Sequence, residues 1–136
     1  MKKNIFLLFL IFLISCNKPH TEISLKDLFK DHFLIGAAIN YQQIFKKDSV
    51  GYELIAKQFN SITPENIMKW EMIHPKPDTF NFAAADSFVS LGQSLNMFIV
   101  GHTLIWHNQT PKWVFEDKKG KPVSRDTLLK RMKDHI

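Results

Sequence analysis

The feature that most constrains this chain is a pair of near-continuous apolar runs set between helical patterns. Phe33-Leu34-Ile35-Gly36-Ala37-Ala38-Ile39 has no charged position, so a strand built from it calls for cover on both faces. Met97-Phe98-Ile99-Val100 repeats the pattern and reads as a strand reaching Ile105. Phe59-Asn60-Ser61-Ile62-Thr63 reads as a further strand between them, ended by Pro64. Helical spacing fills the intervals. Ser24 to Lys30 is a short helix capped by Ser24, and Asp48 to Gln58 is a second, capped by Asp48 or Ser49. Ala83 to Leu95 is a third, with Asn96 as its C-terminal cap, and Thr127 to Ile136 opens a fourth behind Ser124 or Asp126.

Strand alternating with helix is the pattern of βα units around a parallel sheet. Three such units, each with polar residues gathered at the strand's end, predict an α/β chain forming the N-terminal part of a TIM (β/α)8 barrel. A closed barrel takes about 250 residues, and at least about 200. With 136 residues, the chain is expected to hold an incomplete barrel over residues 24–136. Repeats, low-complexity tracts and a second domain are not evident.

The first residues read as an address rather than as structure. Lys2 and Lys3 precede an apolar run from Ile5 to Ile14, too short to span a bilayer and of the length of a signal-peptide core. The run meets Leu13-Ile14-Ser15-Cys16, which resembles the bacterial lipobox, and Cys16 is the chain's single cysteine. The expectation is a lipoprotein signal peptide over 1–15, lipidation of Cys16, a tether over 16–23 and attachment to a bacterial cell envelope. One acyl chain anchors weakly, so stable attachment takes more than one.

Charge sets further bounds. The formal net charge is +5, or +3 once Lys2 and Lys3 are removed. The lysines are scattered, and Lys118, Lys119 and Lys121 around Gly120 read as a solvated turn. No nucleic-acid partner is expected. Nothing in the sequence calls for a cofactor or an oligomer.

Two polar constellations follow the second and third strands. Gly101-His102-Thr103-Leu104-Ile105-Trp106-His107-Asn108-Gln109-Thr110-Pro111-Lys112-Trp113 puts two histidines, two tryptophans and amides after an apolar run. Thr63-Pro64-Glu65-Asn66-Ile67-Met68-Lys69-Trp70-Glu71 places acid, amide, lysine and tryptophan together. Taken alone, Glu65 and Lys69 sit four apart, the spacing of a routine helical ion pair worth about 0.2–0.5 kcal/mol. Pro64 and Asn66 make a regular helix start there irregular, and the same residue types recur after the third strand. Such a mixture suits sugars, with polar groups for hydroxyls and aromatic faces for the pyranose ring. His102 and His107, five apart and without a third partner, make a poor metal site.

Both segments resemble glycoside hydrolase family 10, the endo-β-1,4-xylanases with a TIM-barrel fold. The family's F-x-x-G-x-A is met by Phe33 to Ala38, its F-N-x-x-T-P-E-N-x-M-K-W by Phe59 to Trp70, and its G-H-T-L-x-W-H-x-Q-x-P-x-W by Gly101 to Trp113. Phe80-Asn81-Phe82 and Asp86 match the intervening segment, so the resemblance runs from Phe33 to the end. Val100 departs from it, standing where many members carry Arg.

The resemblance implies retaining hydrolysis of internal β-1,4-xylosidic bonds in xylan. It implies that Glu65, Asn66 and Lys69 bind the glycone sugar next to the cleavage point, and that His102, Trp106 and Gln109 line the same subsite. Trp113 reads better as packing, and His107 either orients the loop or meets the ligand. Retaining glycosidases need two carboxylates about 5 Å apart. The family's two glutamates lie at the ends of the fourth and seventh strands, the first within an Asn-Glu pair that this chain lacks after Trp113. They are expected beyond Ile136, so the 136 residues are expected to hold a xylan or xylo-oligosaccharide without cutting it. The alternative is an inactive remnant, or a lipoprotein that binds xylo-oligosaccharides weakly.

Overall fold

The computed structural model describes residues 22–136. The signal peptide expected over 1–15, the lipidation site Cys16 and most of the tether over 16–23 lie outside the described residues. Helix α1 (Leu25–Leu28) is followed by strand β1 (Gly36–Ile39) and the single turn α2 (Tyr41–Ile44). Helix α3 (Ser49–Gln58) leads to β2 (Ser61–Pro64) and the short α4 (Trp70–Ile73). Helix α5 (Ala83–Ser94), β3 (Phe98–Ile99), a 3-10 turn (Lys112–Val114) and α6 (Arg125–His135) complete the order.

The caps explain why the helices begin where they do. Ser24, Asp48 and Ser124 each accept a backbone N–H of the first turn with a side-chain oxygen, a contact worth about 1 kcal/mol per helix. Asn40 closes a reciprocal capping box with Gln43 around α2. At the other end of α5, Asn96 takes φ 51°, and the Met97 N–H returns to the Gly92 carbonyl at 2.8 Å. That left-handed residue turns the chain straight into β3.

The three strands form one parallel sheet in the order β1-β2-β3. Ala37 pairs with Ile62 and Ile62 with Ile99, which places these three on one face. That face carries the core of Ile39, Ile44, Ile55, Ile62, Ile67, Phe88, Leu91 and Met97. Gly92 lets α5 sit close, because a Cβ there would come within 2.6 Å of Ile99 Cγ1 and 3.1 Å of Ile62 Cδ1.

The strands are shorter than their apolar runs. Phe33 and Leu34 are exposed and precede β1, and β3 holds two residues rather than the nine from Met97 to Ile105. On the second face of the sheet Gly36, Ala38 and Phe98 are exposed, while Ser61 between Gly36 and Phe98 is buried and Thr63 is half-buried. The expected cover on both faces is therefore met on one. In a closed barrel the opposite face points inward and is filled by layers of side chains, which accounts for its apolar residues without helices over them.

Candidate functional site

Two loops at the C-terminal ends of β2 and β3 build the site. Past Pro64, the Glu65 N–H donates to the Ile39 carbonyl at 2.9 Å, holding the chain to the end of β1. The Asn66 carbonyl accepts the Lys69 N–H at 2.9 Å, while Ile67 between them plugs into the core. The turn leaves Asn66 exposed and drives Lys69 inward, to 3% exposure. Lys69 keeps an extended backbone and Trp70 begins α4. The second loop leaves β3 at Val100, whose N–H donates to the Ile62 carbonyl at 2.9 Å. Its His102–Thr103 peptide is cis.

Side chains from the two loops meet. Lys69 Nζ lies 2.7 Å from His102 Nε2 and 3.7 Å from the centre of the Trp106 ring. An ammonium only donates, so His102 Nε2 accepts and the ring proton sits on Nδ1. A cation held over an indole away from water is worth about 2 kcal/mol. Gln109 closes the other side. Its Nε2 donates to Asn66 Oδ1 at 3.0 Å, and its carbonyl accepts the Glu71 N–H at 3.0 Å. Gln109 does this at φ 52°, a left-handed backbone that a residue with a Cβ adopts at some cost.

Of the six sugar-site residues read from the sequence, five form this contact network: Asn66, Lys69, His102, Trp106 and Gln109. Glu65 stands exposed beside them, tied through its backbone alone among the described residues. Lys69 turns to His102 rather than pairing with Glu65 as a helical spacing of four would suggest. His107 is exposed, with Nε2 3.2 Å from Asn108 Nδ2. Trp113 packs: its ring meets Trp70 edge-on at 6.3 Å and His74 at 4.9 Å.

Next to this network lies an aromatic cluster of Trp70, Trp113 and Phe80 with His74 and His135, and the sequence did not single out the two histidines. His135 stacks flat on Trp70, with centroids 4.0 Å apart and planes 4° from parallel. His74 stacks on Phe80 at 4.0 Å, and both His74 ring nitrogens are buried without a partner. Burial holds the His74 imidazole below its usual value against the pull of Asp78 and Asp134. Burial does the same to His135, opposed by its bond to the Leu104 carbonyl. Arg131 Nη1 donates to the Trp113 carbonyl, and to those of Val114 and Glu116 at 3.1 Å each. The signal available in the sequence was the spacing of Arg131 and His135, four apart and hence on one face of α6. Among the described residues, no three His, Cys, Asp or Glu side chains converge as a metal site.

A parallel sheet with two polar, tryptophan-bearing loops at its C-terminal edge has counterparts among known proteins. The sequence profile of "Glycosyl hydrolase family 10" matches residues 24–136. The chain belongs to glycosyl hydrolase family 10. It is 47% identical over 113 residues to a β-1,4-xylanase of Dictyoglomus thermophilum, covering 83% of this chain and 29% of that protein. It is 41% identical to endo-1,4-beta-xylanase A of Xylanibacter ruminicola, covering 90% of this chain and 32% of that one. The crystal structure of an intracellular xylanase from Thermoanaerobacterium saccharolyticum superposes with a TM-score of 0.78 at 41% identity, over 85% of this chain and 36% of the other. A mutant in complex with xylotriose superposes with a TM-score of 0.75 at 41% identity, over 84% of this chain and 34% of that one. The chain thus spans about a third of the length of the family 10 xylanases it matches, and its sheet is an open part of the TIM barrel.

Proposed function

We propose that these residues form the glycone-side sugar-binding part of an endo-1,4-β-xylanase, an enzyme that cuts internal β-1,4-xylosidic bonds of xylan with retention. The observation that carries this reading is the meeting of Lys69, His102 and Trp106 across two βα loops. The cation and amides offer hydrogen bonds to hydroxyls, and the indole is 37% exposed, leaving apolar surface for a pyranose. Glu65 contributes a further acceptor at the rim. The xylanases among its relatives and the xylotriose bound in one solved structure support the substrate class.

In this reading the 136-residue chain binds xylo-oligosaccharide and does not itself hydrolyse xylan, because retaining hydrolysis takes two carboxylates about 5 Å apart on either side of the glycosidic bond and Glu65 serves binding. Calorimetric titration of the purified chain with xylotriose, beside an assay for reducing ends released from xylan, tests both halves. Binding that Trp106→Ala abolishes is the expected result. No binding overturns the sugar site, and reducing ends lost on Glu65→Gln overturn the binding-only reading.

Lipidation at Cys16, with attachment to a bacterial envelope, belongs to the same proposal and rests on the Leu13-Ile14-Ser15-Cys16 sequence. Cells expressing the chain with labelled palmitate should yield a labelled membrane-bound product, and Cys16→Ser should release it unlabelled.

A further inference from the structure

The loop that carries His102, Trp106 and Gln109 is tied down at few points. Val100 is held to β2 through its N–H, and Gln109 to α4 through its carbonyl. Between them, among the described residues, the Trp106 carbonyl accepts the neighbouring Thr110 hydroxyl at 2.8 Å, and one backbone group bonds to a separate element: the Leu104 carbonyl, which lies 3.0 Å from His135 Nε2. A cavity of about 280 Å³ lies alongside, lined in part by Met68, Phe82, His102, Leu104 and His135. Close packing from below therefore does not fix the loop's height by itself.

His135 touches the other half of the site as well. Its ring lies flat on Trp70 at 4.0 Å, and Trp70 is the residue after Lys69. Leu104 in turn sits between His102 and Trp106. One imidazole thus joins the segment that aims the Lys69 ammonium to the segment that presents its two partners. A carbonyl only accepts, so the proton of His135 is on Nε2. Its Nδ1 is buried and without a partner. Burial also disfavours the charged ring, and that keeps a single tautomer in place. A plain aromatic residue would stack on Trp70 equally well but would leave the Leu104 carbonyl without its donor.

We infer that His135 is a positioning residue of the sugar site, holding the Trp106 loop at the height of Lys69 through the Leu104 carbonyl without touching sugar itself. The inference rests on the proposed xylo-oligosaccharide site for its ligand, but the positioning has a readout of its own.

The test uses the full chain with 15N-labelled tryptophan in three forms: unchanged, His135→Phe and His135→Gln. Phe keeps the ring on Trp70 and loses the donor, whereas Gln keeps an N–H able to reach the carbonyl. The Trp106 indole resonance should shift or broaden in the Phe variant, while the unchanged and Gln chains coincide. Xylotriose affinity should fall about tenfold in the Phe variant, the worth of one such bond, and return in the Gln variant. Melting curves accompany each form to separate positioning from unfolding. An unperturbed Trp106 resonance in the Phe variant overturns the inference, as does failure of Gln to restore it at an equal melting temperature. If the unchanged chain binds no xylotriose, the site reading falls, and the Trp106 resonance still decides the role of His135.

Discussion

The ammonium of Lys69 and the imidazole of His102, 33 residues apart in sequence, are joined at 2.7 Å inside the fold. Among the described residues no carboxylate pairs with that buried cation. Replacing Lys69 with Met removes a costly buried charge and also leaves His102 Nε2 without its donor, and these two changes oppose one another. Met also loses the cation held over the Trp106 ring, worth about 2 kcal/mol, so stability should fall, by no more than about 2 kcal/mol. Sugar affinity should fall about 10- to 100-fold, since a hydrogen bond from a charged group is worth about 1.5–3 kcal/mol. Calorimetric titration with xylotriose and a thermal melt of the same variant check the two together. An unchanged affinity would remove Lys69 from the site.

The Gln109–Asn66 bond is the second strut between the loops, and it is exposed. A double-mutant cycle of Asn66→Ala and Gln109→Ala, read by xylotriose affinity, should give a coupling of about 0.5–1 kcal/mol. Additive single effects would mean that the two amides meet the ligand independently.

The same two loops show what was legible in the sequence and what was not. Asp48, Ser24 and Ser124 announced their helices because a cap is a local contact between neighbours in sequence. The pairing of β1 with β2 and β2 with β3 followed from alternating strand and helix. The extent of the strands did not follow, because an apolar run looks alike whether or not its residues pair with a neighbouring strand, and Phe33 and Leu34, exposed ahead of β1, do not. Glu65 and Lys69 illustrate a deeper limit. Their spacing fits a helical ion pair, and only the turn at Asn66 and the burial of Ile67 rotate Lys69 toward a histidine from another loop. His135 and Arg131 were passed over because their partners are carbonyls of Leu104, Trp113, Val114 and Glu116, and backbone acceptors leave no mark in a sequence.

Gly92 sits where α5 meets the sheet. An added methyl would meet Ile99 Cγ1 at 2.6 Å, and that is no flexible side-chain end. Overpacking of this kind costs about 1–3 kcal/mol, against about 1 kcal/mol gained from replacing glycine within a helix. Gly92→Ala should therefore lower stability by about 1 kcal/mol, and Gly92→Val by more. Chemical denaturation of the three forms gives the order. A stabilised Ala variant would show that α5 can back away from β3 without loss.

Burial holds both His74 and His135 below the ordinary histidine value of 6.5. The unfolded chain then binds more protons than the folded one in the range just under that value, so stability falls with acid there. Their contribution is fully present above pH 6.5 and is lost as pH drops through the lowered folded values. His74 has the simpler surroundings to test, because both its nitrogens are buried without partners and its ring already stacks on Phe80. His74→Phe keeps the stacking and removes the two unsatisfied atoms, which cost about 1–3 kcal/mol when buried unpaired. It should raise stability at neutral pH by about 1 kcal/mol. It should also flatten the decline below pH 6.5 relative to the unchanged chain. Urea midpoints for both forms across that range decide the matter: parallel declines would assign the acid sensitivity to groups other than His74.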